Sequence, residues 1–183
     1  MVTYDLITPE NKEKLTPELI EELIITNYKS KLNKISKEEH DILKERYISF
    51  FKSKDFKLFI AYENKKMVGI LYGHILSNEF YLNGFYVNKK QLVRKNSKIG
   101  TKLMIRALSH LIYKEKVTMI DPGYVVDNRV YGIIEKMFER IKRNPEFKKY
   151  VLEPIIHNTE TIRYKTKFGI KTIFGNSIKI KRK

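Results

Sequence analysis

Residues 80–108 limit the fold more than any other part of the chain. Phe80-Tyr-Leu-Asn-Gly-Phe-Tyr-Val87 is an aromatic and apolar run of strand length. A polar, basic stretch follows it, and Gly100-Thr-Lys-Leu-Met-Ile105 then opens a segment with a broad apolar face. A strand that feeds a loop and then a helix places the chain among α/β folds. The loop also has a chemical property. The first four N–H groups of a helix lack partners and the helix dipole is positive there, so such a start attracts anions. In an enzyme, this is where a phosphate-bearing cofactor is expected.

The rest of the chain supplies partners for that unit. Val2, Tyr4 and Leu6 alternate with polar residues, as in a short strand. Thr16-Pro17-Glu18 starts a helix carrying Leu19, Ile20, Leu23 and Ile24, with Thr16 as cap and Pro17 at the first helical position. Ser36, with Glu39 three residues on, starts a second helix that carries Ile42, Leu43, Tyr47, Phe50 and Phe51. Phe56–Ala61 and Met67–Leu76 are apolar runs around a polar turn, and Ser77-Asn78 turns again into Phe80–Val87. Three such runs in series predict an antiparallel meander. Downstream, Gly100–Lys114 reads as a helix and Val117–Ile120 as a short strand. A helix is expected from Asp127 to Arg143, stopped by Asn144-Pro145. Tyr150–Ile156 is expected as a strand whose Pro154 needs an edge, a bulge or a splayed position. A short helix is expected from Asn158 or Thr159 to about Phe168, with Gly169 as its stop, before a last strand or hairpin over Ile170–Ile180. The expected architecture is a single α/β domain over 1–183, of the α+β type. It has a mixed, mostly antiparallel central sheet flanked by helices and a helical insertion at about 121–148.

Composition removes several function classes. The chain has 183 residues, 42% of them hydrophobic, which is enough for a real core. No run reaches the roughly 18–20 apolar residues of a membrane span. The first residues, Met-Val-Thr-Tyr-Asp-Leu, have no signal-peptide pattern, so a cytoplasmic location is the expectation. There is no cysteine, which excludes disulfides, thiolate nucleophiles and Cys-based zinc sites. No H-x-x-x-H spacing or carboxylate cluster suggests a metal, and neither a P-loop nor a G-x-S-x-G elbow is present. The net charge of +16 favours anionic partners. Lys165, Lys167, Lys171, Lys179, Lys181 and Lys183 could form one basic surface for RNA, beside the alternative of a solvated lysine face on an ordinary enzyme.

Taken together, the order of elements resembles the GNAT superfamily, the acyl-CoA-dependent N-acyltransferases. The order runs as a strand, two helices, a three-strand meander, a helix, then strand–helix–strand. Lys95-Asn-Ser-Lys98-Ile-Gly100 is similar to the family's pyrophosphate loop, Gln/Arg-x-x-Gly-x-Gly/Ala, with Lys98 where a glycine is usual. The resemblance implies acetyl-CoA, or another acyl-CoA, as co-substrate. Its pyrophosphate would lie on the amides of Ile99, Gly100 and Thr101, with Lys95 and Lys98 as cations and the pantetheine arm along Phe85, Tyr86 and Val87. A second segment, Asn158 to Ile170, keeps the family's Asn158, Thr161 and Gly169 in register. The family's Tyr, which can protonate the leaving thiolate, falls at Lys165, with Tyr164 one residue earlier.

Acyl transfer from a thioester to an amine needs a base for the amine proton, a polarised carbonyl and an acid for the thiolate. Tyr164 is the candidate acid. Glu79, at the start of the third meander strand, and Glu153, beside Pro154, are candidate bases, with His157 comparable to Glu153. His74 reads as a packed histidine on an apolar strand, His40 and His110 lie on helices without partner spacing, and Asp121 reads as a turn residue. The implied reaction is transfer of an acetyl or short acyl group to a primary amine of a small molecule or protein. Two alternatives stand beside it: acetylation of aminoacyl-tRNA, and a GNAT-like module that binds nucleic acid or protein without catalysis. The helical insertion would cap the acceptor site or form a homodimer contact.

Overall fold

Local chemistry starts both early helices where the sequence places them. In α1 (Pro17–Tyr28), Thr16 Oγ1 accepts the Leu19 N–H at 3.2 Å. Ahead of α2 (Lys37–Phe51), Ser36 Oγ accepts the Glu39 N–H at 3.1 Å and the Glu39 carboxylate accepts the Ser36 N–H at 3.0 Å. That reciprocal pair satisfies two amides the helix cannot satisfy itself. The computed structural model describes residues 1–28, 36–88, 98–121, 124–125, 139–156, 162–166 and 169–182. They divide into two units, one of Met1–Ile75 with Gly84–Ala107, the other of Leu76–Asn83 with Leu108–Lys183.

The first unit is built on the start of the meander. β1 (Val2–Ile7) pairs antiparallel with β2 (Phe56–Glu63), and β2 with β3 (Lys66–Leu76). Asn64 and Lys65, at φ 51° and 63°, make the turn between β2 and β3. β4 (Glu79–Val87) lies next to β3, and Ser77 and Asn78, at φ 51° and 63°, turn the chain into it. β2 is buried along Phe56–Ala61 on both of its faces. One face meets the helices: Ile20, Leu23 and Ile24 of α1 and Tyr47 and Phe51 of α2 pack with Phe56, Leu58, Ile60, Met67 and Ile70. Burying one such side chain contributes about 1.5–3 kcal/mol. α3 (Ile99–Tyr113) adds Leu103, Met104 and Ala107, all buried, and its Arg106 guanidinium lies 4.6 Å from the centre of the Tyr4 ring on β1.

In the second unit the strands gather on one long strand, β9 (Gly169–Arg182). β5 (Met119–Asp121) runs parallel to the start of β4 and antiparallel to β9. β6 (Tyr124–Val125), β7 (Tyr150–Ile156) and β8 (Ile162–Thr166) each pair antiparallel with β9. Pro154 stands opposite Ile178, on a strand whose partner among the described residues is β9 alone, so an edge accommodates it as expected. The end of α3 is tied down by Tyr113, whose hydroxyl donates to the Glu146 carbonyl and whose ring meets Tyr150 edge-on at 5.4 Å. Ser109 donates to the Glu146 carboxylate. Asn144 Oδ1 accepts the Glu146 N–H at 3.0 Å and so caps the short 3-10 turn Pro145–Phe147. Most of the expected helix from Asp127 lies outside the described residues.

One expectation is overturned. The segment expected as a helix from Asn158 to Phe168 contains the strand β8, whose register with β9 runs from Ile162↔Ile173 to Thr166↔Gly169. The β-branched Ile162 and Thr166 suit a strand, and Gly169 closes a hairpin where it was expected to stop a helix. Among the described residues, no helix is long and apolar enough to cross a membrane.

Gly84 supports a test of the first unit's packing. A Cβ on Gly84 would collide with the Tyr72 ring, and that ring is held by Tyr47 and Phe50 at 5.6 and 5.4 Å between centroids. Gly84→Ala is expected to cost about 1–3 kcal/mol in denaturant unfolding. Adding Tyr72→Ala should then cost less than the sum of the two single changes. Additive losses would mean that the ring does not occupy that space.

Candidate active site

The first set of site residues surrounds the start of α3, within the first unit. Gly100 is in a tight place: a Cβ there would lie 3.2 Å from Val87 Cγ2 and 3.4 Å from Phe85 Cζ. Gly69 on β3 works in the same way, since a Cβ would lie 3.3 Å from both Leu103 Cδ2 and the Tyr86 carbonyl oxygen. These two missing side chains let the first turn of α3 approach the strands. Ile99 is buried beneath that turn, Val87 is buried on β4, and Phe85 and Tyr86 are half-buried. Burial pushes the Tyr86 phenol above its usual pKa. Beyond Val87, the Asn88 N–H still bonds the Val68 carbonyl of β3 at 2.9 Å.

The Lys98 carbonyl accepts the Lys102 N–H at 2.9 Å, the first bond of the helix. The amides of Ile99, Gly100 and Thr101 therefore precede the intrahelical ladder. Lys98 itself is exposed, with φ 40°. That is the left-handed region, where glycine is at ease and other residues are strained. The backbone at Lys98 thus adopts a shape that suits glycine, while carrying a lysine side chain. Lys95 lies outside the described residues.

A second set belongs to the second unit. The parallel register between β4 and β5 consists of Glu79↔Met119, Phe80↔Ile120 and Tyr81↔Asp121. β4 runs on to Val87, past the end of that register. Glu79 and Tyr81 share a face of β4, opposite to buried Phe80. The Tyr81 hydroxyl donates to Glu79 Oε2 at 2.8 Å. This bond, followed by loss of solvent and then by the negative charges of Glu79 and Asp121, pushes the Tyr81 phenol above its usual pKa. Sequence reasoning passed over Tyr81. Its only signal was the two-residue spacing from Glu79 on a strand.

Glu153 occupies the same rung of the sheet as Glu79: Glu79 pairs with Met119, Met119 with Lys179, and Lys179 with Glu153. Three strand spacings put their backbones about 14 Å apart, so the two carboxylates are alternatives and not a pair. The Glu153 side chain lies outside the described part of the structure, as do Asn158 and His157. Tyr164 sits on β8 opposite Lys171, and its side chain is likewise outside the described part. The other histidines are engaged elsewhere. His74 stacks edge-on with Phe50 at 6.3 Å, His40 bonds Glu21 at 2.9 Å, and His110 bonds Glu115 at 3.0 Å.

No family model and no curated protein matches the sequence. Solved structures match along nearly the whole chain. The PaiA N-acetyltransferase of Thermoplasma acidophilum, solved with coenzyme A, is 15% identical with a TM-score of 0.58, over 98% of this chain and 99% of that one. A GNAT-family acetyltransferase from Staphylococcus aureus Mu50 is 16% identical, with a TM-score of 0.56 over 97% and 99% of the two chains. The chain has the GNAT acetyltransferase fold. A third match within that fold, the ribosomal-protein-S18-alanine N-acetyltransferase of Escherichia coli, is 12% identical with a TM-score of 0.60, over 100% and 96%. Identities this low establish the GNAT fold alone.

Backbone strain at Lys98 is open to measurement. Lys98→Gly relieves a left-handed conformation that costs an L-residue about 1 kcal/mol or more, partly offset by the backbone entropy glycine loses on folding. Lys98→Val adds a β-branched side chain to the same conformation. Urea unfolding should rank Lys98→Gly at or above the parent and Lys98→Val about 1 kcal/mol below it. The reverse order would contradict a positive φ at this residue.

Proposed function

We propose that the chain is an acyl-CoA-dependent N-acyltransferase that moves an acetyl or short acyl group to a primary amine of a small molecule or protein. The observation that carries this reading is the course of β4. Among the described residues it is parallel to β5 over Glu79–Tyr81, and it then continues to Val87, which lies against the glycine-cradled first turn of α3. The GNAT fold, shared with a structure that holds coenzyme A, supports the same reading.

In this reading the amides of Ile99, Gly100 and Thr101 take the pyrophosphate of CoA, aided by the positive end of the helix. The ammonium of Lys98 reaches the same phosphates, and the backbone of Phe85, Tyr86 and Val87 follows the pantetheine arm. Lys95 and Asn158 are carried into this set by the family resemblance. Acetyl-CoA supplies the activated acyl group. The neutral amine attacks the thioester carbonyl carbon, a C–N bond forms and the C–S bond breaks. Glu79 removes the proton that the attacking nitrogen sheds, and Tyr164 returns one to the thiolate. The products are an amide and free CoA, and both side chains exchange their protons with water afterwards.

Release of CoA thiol from acetyl-CoA, with spermidine or an alanine-initiated peptide as the amine, tests the reading. The expected result is amine-dependent release that falls about 10²-fold in Glu79→Gln, a usual contribution of a general base. Tyr164→Phe should lower the maximal rate in the same assay. Thiol release that is absent, or that ignores the amine, ends the proposal. A Glu79→Gln variant of full activity would shift the base to Glu153.

A further inference from the structure

We infer that Tyr81 is a positioning residue, which fixes the Glu79 carboxylate in the orientation that receives the amine proton. The inference rests on the acyltransferase reading and adds to it a residue that neither sequence nor fold likeness supplies. Glu79 is half-exposed at the very start of β4, directly after the turn residues Ser77 and Asn78. Three side-chain torsions orient a glutamate carboxylate, and on its own strand Tyr81 bonds it. Among the described residues, the Tyr81 hydroxyl is the one hydrogen-bond donor recorded for that carboxylate, at 2.8 Å to Oε2. Two residues apart on a strand, the side chains share a face, so the contact is built into the pleat.

The surroundings keep the phenol a donor. Asp121 stands opposite Tyr81 in the β4–β5 register, and its charge, together with that of Glu79, favours the protonated hydroxyl. The nearest cation in the register is Lys179 of β9, which is exposed and stands opposite Met119, the partner of Glu79. With Oε2 engaged by the phenol, Oε1 is the oxygen left to take a proton. A base whose proton-accepting oxygen is fixed loses less rate to misorientation, because transfer needs a defined hydrogen-bond geometry.

The test has two readouts. The first needs no substrate. With tyrosines labelled at the ring carbon next to oxygen, the Tyr81 resonance is identified by its loss in Tyr81→Phe and followed with pH. It should titrate above an ordinary tyrosine in the parent and return toward the ordinary value in Glu79→Gln. The second is kinetic, with acetyl-CoA and spermidine. Tyr81→Phe should lower kcat about 5- to 10-fold with the KM for acetyl-CoA unchanged, and should have no further effect in Glu79→Gln. A purely structural role would lower the melting temperature and act equally in both backgrounds. Parent turnover with an unaffected Tyr81→Phe overturns the positioning role and leaves the acyltransferase reading intact. A parent that releases no thiol overturns both. A Tyr81 titration that ignores Glu79→Gln overturns the contact itself.

Discussion

The close approach of α3 to the strands beneath it is the constraint on which the first unit depends. Two absent Cβ atoms set that distance, at Gly69 on β3 and at Gly100 in the first turn of the helix. Leu103 and the Tyr86 carbonyl crowd the first, while Val87 and Phe85 crowd the second. A larger residue at either place would push the helix outward, and interiors packed this tightly resist such shifts. The same approach puts the first amides of the helix, which precede its internal ladder, beside the end of β4.

Lys98 combines a glycine-like backbone with a cationic side chain. Its φ of 40° is the backbone shape a glycine adopts freely, yet the side chain is a cation. An ammonium on a flexible stem adds charge next to amides that already favour anions. The chain carries a net charge of +16. Glu79 and Asp121 gather at the β4–β5 register, with a phenol between them that bonds one and stands opposite the other.

What the sequence made legible was the chemistry that acts locally. Thr16-Pro17 and Ser36 with Glu39 mark helix starts by hydrogen bonds that span three residues, and the structure has those bonds. The turn at Asn64-Lys65 is equally local. Where residues serve two structures, the reading failed. Asn158 and Gly169 look like the cap and stop of a helix, but Gly169 closes the β8–β9 hairpin, a pairing settled by the strand across from it. The strand expected at Val117–Ile120 begins only at Met119, because the Val117 N–H bonds the Leu111 carbonyl at the helix end. Tyr81 escaped notice although its bond to Glu79 spans only two residues, because a two-residue spacing on a strand is common; its place opposite Asp121 is set by a register not written in either segment alone. Glu79 and Glu153 were equal candidates in sequence; only the register separates them by three strands.

The account stands or falls on whether the first turn of α3 receives a CoA pyrophosphate. Calorimetric titration of the parent protein with acetyl-CoA, beside Gly100→Asp, measures this most directly. The account predicts saturable binding of the parent below about 1 mM, within the range usual for enzyme substrates. It predicts that Gly100→Asp weakens that binding at least tenfold, because the added side chain would meet Val87 and Phe85 and displace the turn whose amides take the pyrophosphate. Circular dichroism of the variant confirms that it is folded. Absence of heat with the parent at millimolar acetyl-CoA, or equal affinity in a folded Gly100→Asp, would contradict the account.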